Sequence, residues 1–239
     1  MNLLLLHESD FISDDTAQLE GRRADHLIKV LKVQVGSSLT SGRLNGLIGR
    51  SVVQSIESGC VTVQCSSEFS DAPPAPSHTQ LLLALPRPNM LRRILHHATE
   101  LGVKDIHLFQ SKKVEKSFWQ SPMLSDEKIH EALCLGLEQS IDTRLPTVTY
   151  HKQLAHFLAR LPEIKGERIG YVAHPYNASP CPHNLNQPNS LVIGPEGGFT
   201  HDEVTVFNEN GFTSIGLGQR ILRVENAVST ALSRIAYWP

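Results

Sequence analysis

Apolar and polar residues follow two different rhythms along this chain. Up to about residue 70, apolar positions recur with period two in short runs. Ser37–Leu44 and Leu47–Ile56 flank Asn45-Gly46, a dipeptide suited to a tight hairpin turn, and Gly59–Cys65 is another alternating run. Leu3–Leu6 reads as a first strand. One helical stretch, Arg23–Leu31, places Ala24, Leu27, Ile28 and Leu31 at helical spacing. A small β-barrel-like domain carrying one helix fits residues 1–70.

Asp71-Ala-Pro-Pro-Ala-Pro-Ser77 cannot continue a helix or a central strand, so residues 71–77 read as a semi-rigid linker. Beyond it, over residues 78–239, strands and helices alternate. Strands are predicted at Gln80–Leu85, Val103–Phe109, Ile169–Ala173, Leu191–Ile193 and Ser214–Leu217. Helices are predicted at Asn89–Leu101, Asp126–Ser140 (capped by Ser125), His151–Arg160, Asp202–Glu209 and Val224–Ala236. That alternation predicts an α/β domain with a parallel sheet covered on both faces.

With 239 residues, 40% of them hydrophobic, the chain can bury a substantial core. Lys+Arg 22 against Asp+Glu 24 leaves a formal charge of -2, which excludes a global field drawing the chain onto nucleic acid or anionic membrane. Any nucleic-acid contact must come from local basic patches or a second subunit. The four cysteines show no CxxC pairing and no zinc spacing, and read as free thiols in a reducing cytoplasm. The twelve histidines offer no HExxH spacing, so no metal is expected. The N-terminal apolar run is too short for a signal-peptide core or a membrane span.

Ligands of open parallel sheets bind beyond the carboxyl ends of the strands. Three loops qualify: Ala173-His174-Pro175-Tyr176, Gly194-Pro195-Glu196-Gly197-Gly198, and Gly216 to Leu222. None contains the lysine of a phosphate-binding P-loop, and Gly216-Leu217-Gly218 has Ile221 where a dinucleotide fingerprint needs a third glycine. Glycine-rich loops without a cationic phosphate anchor suit a nucleoside held by backbone groups and apolar contact.

GPEGGFT (Gly194–Thr200), followed by LGQRILRVENA (Leu217–Ala227), resembles the closing motifs of the RsmE family, SPOUT-class methyltransferases acting on N3 of a uridine in 16S rRNA. GRRADHLIKVLKVQVG, MLRRILHHATELGV and EALCLGLEQS resemble earlier segments of that family, so the likeness runs the length of the chain. Asn226 stands where the family usually has threonine. The resemblance implies a small N-terminal PUA-like β-barrel and a C-terminal SPOUT-type α/β domain tied in a trefoil knot. It also implies S-adenosylmethionine as cofactor, a homodimer, and 16S rRNA of the small ribosomal subunit as partner. On this reading His174, Pro175, Gly194, Pro195, Glu196, Gly197, Gly198, Leu217, Gly218, Ile221 and Leu222 hold the cofactor.

Methylation of N3 requires loss of the imide proton. Glu196 and Glu225 are candidate bases, and Arg223 or Arg220 a candidate stabiliser of the imide anion. Glu225 has an alternative role as a buried ion-pair partner of Arg223. Candidate RNA contacts are Arg22, Arg23, Lys29, Lys32, Arg92, Arg93, Lys112, Lys113 and Lys116, with a merely solvated face as the alternative for each cluster. Trp119 beside Phe118 offers a stacking surface or, as is commoner for such pairs, packs in the core. Two other classes compete: a nicotinamide oxidoreductase, opposed by the missing glycine, and a non-catalytic RNA-binding or ribosome-assembly module on the same scaffold.

Overall fold

The computed structural model describes residues 2–66 and 69–237. The chain divides into two units: Met1–Pro74 with Leu137–Leu145, and Ala75–Gly136 with Pro146–Pro239.

In the N-terminal unit, β1 (Leu4–Leu6), β2 (Thr16–Leu19), β3 (Ser38–Arg43), β4 (Ile48–Glu57) and β5 (Cys60–Cys65) form one half-barrel sheet in the order β1-β3-β4-β5-β2. Only the β1–β3 pair is parallel. The inward positions of the alternating runs, including Leu4, Leu6, Leu19, Val53, Val61 and Val63, pack into its core. Asn45 takes φ +61, as a tight turn at Asn-Gly requires, and Gly46 N–H closes the turn on the Arg43 carbonyl at 2.8 Å.

The predicted helix starts two residues early, as α1 (Gly21–Asp25), and continues as a π turn, His26–Val30. Ala24 and Leu27 are buried as their spacing requires. Leu31 is instead 45% exposed, because wider i→i+5 winding moves later positions off the 3.6-residue face. Leu137–Leu145 supplies what the unit's own sequence lacks. Asn45 N–H donates to the Thr143 carbonyl, Leu145 N–H donates to Asn45 Oδ1, and buried Glu138 takes a bidentate pair from Arg22 at 2.7 and 2.9 Å.

The C-terminal unit is built on seven strands: β6 (Thr79–Ala84), β7 (Asp105–Phe109), β8 (Thr147–His151), β9 (Ile169–Ala173), β10 (Ser179–Pro180), β11 (Asn189–Ile193) and β12 (Phe212–Gly216). They form a wholly parallel sheet in the order β10-β12-β9-β11-β6-β7-β8. Every residue of β6 and β11 is buried, as expected of central parallel strands covered on both faces. Its helices are α2 (Pro88–Glu100), α3 (Asp126–Ser140), α4 (Leu154–Ala159), α5 (Leu161–Lys165), α6 (His201–Glu209) and α7 (Val224–Ile235). The last turn of α3 falls in the N-terminal unit. Ser125 caps α3, its Oγ accepting from Lys128 N–H at 3.4 Å.

The helix predicted at His151–Arg160 is corrected. His151 ends strand β8, paired in register with Phe109, and the helix begins only at Leu154. The β-branched run Thr147-Val148-Thr149 favours a strand there.

One polar row crosses this sheet. Ser190 Oγ donates to Gln80 Oε1 at 2.7 Å, and Gln80 Nε2 donates to Asp105 Oδ2 at 2.7 Å. Asp105 Oδ1 lies 3.1 Å from His107 Nε2, and His107 Nδ1 lies 2.9 Å from His151 Nε2. The hydrogen bond from His107 holds the Asp105 carboxyl below its usual range. Burial, reinforced by the charges of His107, Arg160 and His156, lowers His151 to about 4.

A histidine whose native pKa is depressed remains neutral in the fold while the unfolded chain takes up a proton. Stability is therefore full above about pH 6.5 and is lost as pH falls toward about 4, by on the order of 2–3 kcal/mol. Urea midpoints measured between pH 7.5 and 4.5 should show this slope, and His151→Gln should flatten it.

Candidate active site

The carboxyl ends of three neighbouring strands, β12, β9 and β11, open onto one cavity of about 950 Å³. The chain runs β6, β7, β8 toward one edge and then returns to β9 on the far side of β11, so the cavity sits where the strand order reverses. Parallel sheets leave a crevice at such a switch point.

The loop after β11 takes its shape from its own sequence. Phe199 is buried, stacks toward Phe109 (centroids 6.2 Å) and packs at a tilt against Phe207 (5.2 Å), which anchors the loop to the core. Gly194 lies so close to that ring that a Cβ there would come within 3.2 Å of it. Gly198 holds φ +65, open to glycine at little cost, and its N–H closes a turn on the Pro195 carbonyl at 2.8 Å. Thr200 then caps α6 through a capping box with Glu203. Glu203 is itself buried and also accepts the Lys112 N–H at 2.8 Å. Glu196 Oε1 accepts the backbone N–H of Arg87 at 3.0 Å, tying this loop to the one after β6.

The loop after β9 contributes His174 and Pro175. His174 N–H donates to the Ile215 carbonyl at 3.0 Å, which fixes it beside β12. Burial, with His201 and Lys113 nearby, lowers the imidazole below its ordinary value, which favours its neutral form. From the loop after β12, Ile221 is 71% exposed, an apolar side chain lining the cavity. Gly218 holds φ +130 there.

Arg223 is the N-cap of α7 through its backbone, its carbonyl accepting from Ala227 N–H at 2.8 Å. Its side chain is exposed and, like those of Arg220 and Arg87, lines the cavity without an ion pair among the described residues. Unpaired guanidiniums and the positive end of α7 make this mouth locally cationic in a chain of net charge -2. Arg223 and Glu225 form no ion pair among the described residues, so the structural alternative for Glu225 does not hold. Glu225 lies in the first turn of α7 and lines the cavity.

The cavity gathers His174, Pro175, Gly194, Pro195, Glu196, Gly198, Leu217, Gly218, Ile221, Leu222, Arg223 and Glu225. Gly197 stands apart from it, packed against the Lys113 side chain, whose Nζ donates to the Gly197 carbonyl at 2.8 Å. Arg87, Asn89 and Met90 also line the cavity without having been expected there, and Phe118, expected only as a stacking surface beside Trp119, lines it too. Arg87 could have been found by the rule that found the others, since it follows a strand in a proline-flanked loop.

Several candidate RNA contacts are occupied within the fold. Arg23 is a correction: its guanidinium pairs with Asp10 at 2.6 Å and donates to the Leu5 carbonyl, so it braces the N-terminal unit. Arg22 is engaged by Glu138, Lys29 by Asp25 and Lys112 by Asp202, each at 2.7–2.8 Å, while Arg92 lies 3.9 Å from Glu131. Lys32, Arg93 and Lys116 are exposed. Trp119 is pinned by its indole N–H on Gln110 Oε1 at 2.6 Å, and it is Phe118 that reaches the cavity.

A half-barrel followed in sequence by a parallel sheet with a cavity at its switch point is the α/β architecture of a PUA-like barrel and a SPOUT-type domain. The chain belongs to the RNA methyltransferase family, whose domain model matches residues 73–236. It is 29% identical to the ribosomal RNA small subunit methyltransferase E of Treponema pallidum, over 97% of this chain and 89% of that protein. It is 26% identical to the protein of the same name from Bacillus subtilis, over 93% and 90%. The ribosomal RNA small subunit methyltransferase E of Neisseria gonorrhoeae, solved with S-adenosyl methionine, shares the fold at a TM-score of 0.73 and 20% identity, covering 98% of this chain and 95% of that one. No helix among the described residues is long and apolar enough to cross a membrane.

Proposed function

We propose that this protein transfers the methyl group of S-adenosylmethionine to N3 of a uridine in 16S rRNA of the small ribosomal subunit, acting in the cytoplasm as a homodimer. The observation that carries this reading is the cavity at three adjacent strand ends, walled by glycine backbone and by exposed Ile221, in a chain of the RNA methyltransferase family. The curated relatives and the S-adenosyl methionine complex support it. The trefoil knot implied by the family resemblance belongs to the same reading.

Backbone groups of Gly194–Gly198 and Leu217–Leu222, with His174 and Pro175, would hold the donor, which supplies an activated methyl on a sulfonium. The protein's task is then positioning and charge stabilisation. Arg223 faces the imide anion as the proton leaves, and Glu225 or Glu196 receives that proton. Glu196 also holds the Arg87 loop in place, so its loss should affect both binding and turnover. Lys32, Arg93, Lys113 and Lys116 are the sequence-predicted RNA contacts that no ion pair occupies among the described residues, although Lys113 donates to the Gly197 carbonyl.

Incubation with labelled S-adenosylmethionine and small ribosomal subunits from cells lacking this modification should yield N3-methyluridine, identified by mass. The donor should also raise the melting temperature, because it binds only the native state. Absence of both effects would overturn the reading in favour of a non-catalytic RNA-binding module.

A further inference from the structure

The donor-side loops follow β12, β9 and β11, whereas Arg87 and Phe118 enter the same cavity from the other side of the sheet order, after β6 and β7. We infer that Arg87 and Phe118 form the acceptor-nucleotide subsite: the Phe118 ring stacks on the extruded base, and the Arg87 guanidinium contacts an adjacent phosphate. This rests on the proposed methyl transfer to RNA.

Three observations carry it. First, the cavity, at about 950 Å³, is at the top of the range of roughly 300–1,000 Å³ usual for small-molecule sites, which leaves room for a second group beside the donor. Second, both side chains are presented by braced backbone. Glu196 holds the Arg87 N–H at 3.0 Å while its guanidinium stays exposed, with no ion pair among the described residues. Phe118 N–H donates to the Glu115 carbonyl at 3.0 Å within the turn Lys116–Gln120. That turn is fixed by Trp119 on Gln110, whose Nε2 in turn donates to the Ser111 and Val114 carbonyls at 2.6 and 2.9 Å.

Third, the two chemistries match an unstacked nucleotide. An enzyme that modifies a base edge must extrude the base, and an aromatic face offsets part of the lost stacking. A half-buried ring suits the base, and an exposed guanidinium at the mouth suits a phosphate, which stays in water. The Glu196–Arg87 bond then couples the donor loop to the acceptor loop, so Glu196 is a positioning residue for both.

The test compares Arg87→Ala, Arg87→Lys, Phe118→Leu and Phe118→Trp with wild type, using small subunits for turnover and a labelled 16S rRNA fragment for binding. Arg87→Ala should raise KM for RNA about 5–50-fold and lower the slope of log K against log salt by about 1, with Arg87→Lys intermediate. Phe118→Leu should weaken RNA binding about 5–100-fold, and Phe118→Trp should restore most of it. Affinity for S-adenosylmethionine should stay within about twofold in all four.

RNA binding and kcat/KM within twofold of wild type would overturn the subsite. A parallel fall in donor affinity would do so as well, because it would place these side chains on the donor. If wild type binds RNA through these residues but transfers no methyl group, the subsite stands and the proposed reaction fails.

Discussion

Arg223→Ala is expected to lower kcat by about 10²–10³-fold while leaving S-adenosylmethionine affinity within about threefold. Loss of one preorganised donor aimed at developing charge has an effect of that size. The Arg223 backbone is fixed as the N-cap of α7, by the Ala227 N–H at 2.8 Å, and its side chain pairs with no carboxylate among the described residues, so the guanidinium is available to charge developing in the cavity. The positive end of α7 acts in the same direction on an anion in the cavity.

Lysine at this position should recover part of the rate, since it keeps the charge but not the planar fork. The readouts are single-turnover methylation and donor binding by calorimetry. A fall in both together would make Arg223 a donor-binding residue. The same assay on Glu225→Gln and Glu196→Gln separates the two candidate bases. The one that accepts the imide proton should lose turnover with donor affinity intact.

The second large effect concerns stability. Gly136 lies where α3 packs on α2, and a Cβ there would stand 2.6 Å from Thr99 Cβ and 2.8 Å from the His96 carbonyl oxygen. Neither neighbour can rotate away. One is backbone, and Thr99 is fully buried with its hydroxyl bonded to the Leu95 carbonyl at 2.8 Å. Overpacking usually costs about 1–3 kcal/mol and sometimes more, against a gain of up to about 1 kcal/mol in helix propensity. Gly136→Ala should therefore lose about 2 kcal/mol, and Gly136→Val more, read as a lower urea midpoint at unchanged slope. A midpoint equal to wild type would mean that the helices separate at little cost.

Local patterns in the sequence determined much of this protein. Alternation around Asn45-Gly46 specified the β3–β4 hairpin, because a turn of that type depends on two residues and the strands that flank them. The run of β6 and the repeated strand–helix rhythm specified a buried parallel sheet. Ligand loops at strand ends follow from that topology, and most of the residues expected there do line one cavity. Gly194 to Thr200 was also partly legible, since Gly194 beside the Phe199 ring, the Gly198 turn on Pro195 and the Thr200 cap each act within a few residues of themselves.

Tertiary structure decided the rest. Arg22 and Arg23 read as a basic patch, yet their partners Glu138 and Asp10 lie 116 and 13 positions away, and charge spacing along the chain does not report such pairs. The four-residue β2 is too short to announce itself, and it exists because β5 offers it an edge. The π turn after Asp25 keeps Leu27 inside at the expense of Leu31. Phe118 and Trp119 are chemically similar neighbours in a turn, and only the position of Gln110 sends one to a hydrogen bond and the other to the cavity. Periodicity reports which residues face inward. What they meet there depends on contacts between segments far apart in the chain.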